Sequence, residues 1–140
     1  MRRLLILLAL FSFCVLSSEQ SLAECTLEKG VKAERQTDYL KSWTAVYDFF
    51  KEYAECDDGG IAEGVSDAVV KLFIKDWPNI ASLQKMTDTD QDFKNFVFRH
   101  IDQTADFREV KQIGNLAHQE CPQNAQRICK DLQMQIDGNE

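Results

Sequence analysis

Between Leu40 and Trp77 apolar residues recur at steps of three and four, and this period breaks once, at Cys56-Asp57-Asp58-Gly59-Gly60-Ile61-Ala62-Glu63. Such spacing gathers side chains on one face of an α-helix, whereas a strand would need alternation at steps of two. Leu40, Trp43, Tyr47, Phe50 and Ala54 form one stripe, widened by Tyr39, Val46, Phe49 and Tyr53. Ile61, Val65, Ala68 and Leu72 form another, widened by Val69, Phe73 and Trp77. At the break, two glycines can take positive φ and two carboxylates can satisfy free amides, so the segment reads as a helix-to-helix corner. Thr37 is the expected N-cap of the helix before it. Residues 24–36, with only Leu27 and Val31 as large apolar residues, read as a polar lead-in pinned by Cys25.

The remainder keeps the helical period. Pro78 marks an end or a new start, and Ile80, Leu83 and Met86 supply one or two turns. Thr87-Asp88-Thr89-Asp90 offers N-caps for a helix carrying Phe93, Phe96, Val97 and Ile101. Asp106 and Glu109 have capping-box spacing at the start of a helix carrying Phe107, Val110, Ile113, Gly114 and Ala117, and Gly114 predicts a close helix crossing. Pro122 or Asn124 opens a last helix with Ala125, Ile128 and Leu132. No stretch alternates like a strand. The expected fold is all-α, a compact bundle of five or six short helices stapled by disulfides.

Met1-Arg2-Arg3 followed by the apolar run Leu4 to Leu16 has the form of an export signal, too short to span a bilayer at roughly 20 residues. Ser21-Leu22-Ala23 supplies a small-x-small cleavage site, so residues 1–23 are expected to be a signal peptide and residues 24–140 a single helical domain in the periplasm or outside the cell. Cleavage removes Arg2, Arg3 and Glu19, leaving 14 basic and 22 acidic residues and moving the formal charge from −7 to −8. Nucleic acid and anionic membranes are poor partners for such a chain, and no stable membrane anchor is expected after cleavage. Cys25, Cys56, Cys121 and Cys129 then remain, an even number suited to two disulfides in an oxidising compartment. If Pro122 to Leu132 is one helix, Cys121 and Cys129 stand about 12 Å apart, beyond bridging reach. Alternating helix directions would then bring Cys56, at the end of its helix, near Cys121, so the expected pairs are Cys56–Cys121 and Cys25–Cys129.

The chemistry-bearing residues point away from catalysis. Asp88, Asp90 and Asp92 resemble the opening of a calcium loop, but Phe93 stands where its glycine belongs and Arg99 where its glutamate belongs. His100 falls within an apolar helix face, as a core histidine would, and neither it nor His118 has zinc-ligand spacing. No nucleophile elbow, phosphate loop or dinucleotide fingerprint is present. No catalytic residue, metal ligand or cofactor is assigned. Glu52, Glu55, Asp57, Asp58 and Glu63 crowd the corner and are the candidate binding residues, a carboxylate face for a basic protein surface. The expectation is a small exported, bacterial periplasmic, non-catalytic helical protein that binds another protein. Its plan of export signal, short chain, helices and disulfides resembles that of bacterial immunity proteins for envelope-targeted toxins, a likeness of architecture alone. The alternatives are a hydrolase or metal-dependent protein using the acidic 52–67 corner and His100, and a structural or chaperone-like envelope subunit.

Overall fold

A computed structural model describes residues 24–101 and 105–138, and the export-signal segment lies outside them. The described residues form seven α-helices: α1 (Leu27–Thr37), α2 (Trp43–Tyr53), α3 (Gly59–Lys75), α4 (Ile80–Thr89), α5 (Gln91–Arg99), α6 (Phe107–Gln119) and α7 (Gln126–Asp137). No strand occurs among them. The class is all-α, with one helix more than the sequence pattern counts.

The added helix is α1, which corrects the reading of residues 24–36 as a polar lead-in. Thr26 caps it by accepting from the Lys29 amide at 3.3 Å, and Ala33 alone of its residues is fully buried. One small buried residue per helix leaves no apolar stripe for a periodicity argument to find. Thr37 consequently ends α1, and Ser42 is the N-cap of α2, its hydroxyl accepting from the Ala45 amide at 3.2 Å. Tyr39, expected on a helix stripe, sits in the intervening turn and is 70 % exposed.

The longest helix, α3, contacts α1, α2 and α6, while α6 lies along α7. The core runs from Trp43, Val46 and Phe49 through Val65, Val69 and Phe73 to Phe93, Phe96, Ile113, Ile128 and Leu132. A Cβ on Gly114 would meet the Ile136 side chain at 3.4 Å, so the close crossing read from the sequence joins α6 to α7. The α1–α3 crossing is closer still. A Cβ on Gly64 would stand 2.9 Å from both Cβ and Oγ1 of Thr37, atoms fixed to the backbone by one or two bonds. Gly64→Ala should therefore destabilise by about 1 to 3 kcal/mol despite alanine's better helix propensity. Gly60→Ala, where a Cβ meets nothing within 4 Å, should stabilise by about 0.5 to 1 kcal/mol. Urea midpoints of the two variants check both signs.

Cys25 is joined to Cys56 and Cys121 to Cys129, so the expected pairing is overturned. Because α1 and α2 are linked by a short turn and double back, Cys25, just before the cap of α1, meets Cys56, at the end of the 3-10 turn that follows α2. The second pair forms because the last α-helix begins at Gln126. Residues Gln123–Ala125 make a 3-10 turn after Pro122, which brings the two Cα atoms to 6.1 Å instead of the 12 Å of a continuous helix. No residue of α7's own entrance caps it. Gln84 of α4 does so instead, accepting from the Arg127 amide at 2.9 Å and the Ile128 amide at 3.1 Å.

Candidate functional site

The corner between α2 and α3 is built as its residue types dictate. The chain leaves α2 through a 3-10 turn (Ala54–Cys56), and Asp58 caps α3 with its carboxylate 2.7 Å from the Gly59 amide. Among the described residues Gly59 alone takes positive φ, at 50°. Asp57, one residue earlier, turns inward.

Its carboxylate is 2 % exposed and lies 3.2 Å from Nε2 of His100, which is itself 3 % exposed at the end of α5. Nδ1 of the same ring is 2.9 Å from Oγ of Ser66 on α3. Arg99, largely in solvent, donates to Asp57 Oδ2 at 2.6 Å. His100 Nε2 and Asp57 Oδ1 have no hydrogen bond within good geometry among the described residues, so the ring and the carboxylate are held close without good alignment. Burial pushes the Asp57 carboxyl up, but the His100 ring and then the Arg99 guanidinium outweigh it and hold the group below the usual carboxylate range. Three elements thus meet on one buried carboxylate.

Ser66, His100 and Asp57 stand in the order of a nucleophile, a base and an orienting acid. Acyl transfer also needs preorganised donors for the developing oxyanion. Ser66 lies well inside α3, where neighbouring N–H groups are committed to the helix ladder, and the first-turn amides of Gly59, Ile61 and Ala62 are taken by Asp58. The geometry suits a strut tying the corner to α3 and α5.

Above Ser66, between α3 and the entrance of α6, opens a groove of about 500 Å³. Four carboxylates line it: Glu63 and Asp67 from α3, Asp106 and Glu109 from α6 and its cap. Helical spacing explains the first two, since Glu63, Ser66 and Asp67 fall at i, i+3 and i+4. Asp67 is paired with Lys71 at 2.5 Å and Asp106 with Arg108 at 3.0 Å. Glu63 and Glu109 have no cation within ion-pair distance among the described residues.

The five carboxylates singled out in the sequence are put to different uses. Glu63 lines this groove, and Glu52 lines a second one between α1 and α2. Glu55 is bonded to Lys29, Asp58 caps, and Asp57 is buried under Arg99. Asp106 and Glu109 escape a sequence reading that stops at the corner, because only the α3–α6 packing brings them beside Glu63. The aspartates at 88 and 90 are spent separately: Asp88 pairs with Arg127 at 2.9 Å, and Asp90 caps α5 by accepting from the Phe93 amide at 2.9 Å. Among the described residues no cluster of three or more His, Cys, Asp or Glu could hold a metal ion. No helix among them is long and apolar enough to cross a membrane.

Site and fold together define the class as a disulfide-stapled all-α domain with an acid-lined groove. No protein-family model matches the chain, and comparison with curated proteins and with solved structures finds no match for it.

Proposed function

We propose that this chain is a small exported, non-catalytic binding protein, of the inhibitor or immunity type, whose partner is a protein with a basic surface. The observation that carries the reading is the α3–α6 groove, which Glu63 and Glu109 both line with no cation within ion-pair distance among the described residues. Carboxylates fixed on packed helices lose little entropy on meeting a basic side chain, and complementary charge speeds encounter and selects partners. The two disulfides suit an oxidising compartment such as the periplasm.

The test is capture from the envelope of the source organism, using the mature protein alongside Glu63→Gln/Glu109→Gln, a variant that keeps shape and removes charge. The parent should retain a basic protein that the variant releases at moderate salt. Equal retention by both would overturn the groove's role. A second reading, hydrolysis by Ser66, rests on the Ser66–His100–Asp57 chain. It requires turnover of an activated ester that disappears in Ser66→Ala, whereas the binding reading expects none above buffer.

A further inference from the structure

A second groove, of about 300 Å³, lies where α1 turns into α2. One face of α2 forms its floor and one wall, with Ala45, Asp48, Phe49, Glu52 and Tyr53 at steps of three and four. Tyr39, in the turn after α1, closes the other side and leaves most of its ring in solvent. Two kinds of group therefore alternate around one space: aromatic rings, of which Phe49 and Tyr53 are locked in the core, and the carboxylates of Asp48 and Glu52.

Neither carboxylate has a cation within ion-pair distance among the described residues. Lys32, whose charge acts on Glu52, is itself paired with Glu28 at 2.7 Å. The Tyr53 ring already attracts one cation within the fold, since Lys29 Nζ stands 5.9 Å from its centroid while bonded to Glu55. Faces of aromatic rings and carboxylate oxygens both attract positive charge, and a planar guanidinium satisfies both at once by stacking on the ring and forking onto the oxygens. A compact, strongly hydrated ammonium can do only the second well.

We infer that the Tyr39–Asp48–Glu52–Tyr53 groove is a seat for an arginine side chain presented by a protein partner. The inference concerns a contact separate from the α3–α6 groove and stands or falls without it. Tyr39, 70 % exposed in the turn, is the ring of this groove that is open for a planar cation to stack on.

The experiment is a titration of the oxidised mature protein with Nα-acetyl-arginine methylamide, followed by amide chemical shifts, with the norleucine and lysine counterparts as comparisons. Saturable shifts are expected at Ala45, Asp48, Phe49 and Glu52, with an affinity on the order of 1 to 10 mM for one side chain. Tyr39→Ala and Glu52→Gln should each weaken the arginine probe about threefold. Tyr39 is mostly solvent-exposed and Glu52 is an exposed helix residue, so both variants keep the fold, which the same spectra verify. The norleucine probe should give no saturable shifts and the lysine probe weaker ones. Absence of saturation, equal response to norleucine or lysine, or titration of both variants like the parent would each overturn the assignment.

Discussion

Removing the Cys25–Cys56 bridge by paired alanine substitution should lower stability by about 4 kcal/mol, against about 2.5 kcal/mol for removing Cys121–Cys129. The difference comes from the unfolded chain, where a bridge spanning 31 residues forbids far more conformations than one spanning 8. Alanine is the right replacement, because Cys56 and Cys129 are buried and serine would add an unpaired hydroxyl there. Equilibrium urea unfolding of the two variants measures both losses. Peptide mapping of the parent should recover Cys25 joined to Cys56. A fragment joining Cys56 to Cys121 would contradict the fold, in which Cys56 is bridged to Cys25 just before α1 and Cys121 to Cys129.

Asp57→Ala should cost about 2 to 3 kcal/mol, because it leaves the buried His100 ring, with Ser66 on its other nitrogen, and the Arg99 guanidinium without the carboxylate they share. Asp58→Asn should change stability by no more than about 0.5 kcal/mol, since asparagine caps a helix as well as aspartate does. This separates two neighbours that look equivalent in the sequence, where exchanging both for asparagine would be expected to leave stability almost unchanged. The acid limb of stability should report the same residue. The Asp57 carboxyl titrates below its ordinary value in the folded protein, so folding favours its ionised form. Its contribution is therefore complete above the unfolded value of about 3.9 and is lost as pH falls through the lower folded value. In Asp57→Asn the loss of stability between about pH 4 and pH 2 should be shallower than in the parent. Parallel acid limbs in the two proteins would show that Asp57 is not held by His100 and Arg99.

Helices whose buried stripe is broad were legible in the sequence, and those held by single contacts were not. The faces of α2, α3 and α5 announce themselves through Trp43, Val46, Phe49, Val65, Val69, Phe73, Phe93, Phe96 and Val97, all buried, although on α2 the core face is the widening stripe of Val46, Phe49 and Tyr53, and Tyr47 and Phe50 are only partly buried. Helix α1 buries only Ala33 and is held by its turn, its disulfide and the Gly64–Thr37 approach, none of which leaves a periodic mark. Phe107 shows the converse failure. It is the first residue of the helix predicted for it yet is 68 % exposed, and the burial of that helix falls further along, at Ile113, Gly114 and Ala117. His100 reads correctly as a core histidine, but its partners lie 34 and 43 residues away and emerge only from packing. The acidic corner was visible as composition. Its division into a cap, a buried node, an ion pair with Lys29 and two groove walls was not, since side chains one residue apart can point to opposite sides of a chain leaving a helix.

The most direct test of the central claim, that carboxylates of the α3–α6 groove recruit a basic protein, is the association rate of the captured partner as a function of ionic strength. At low salt the parent should associate about tenfold faster than Glu63→Gln/Glu109→Gln, and the two should converge as salt rises and screening shortens the reach of the charges. Equal rates at low salt, with equal slopes against ionic strength, would contradict the claim and move the binding surface away from this groove.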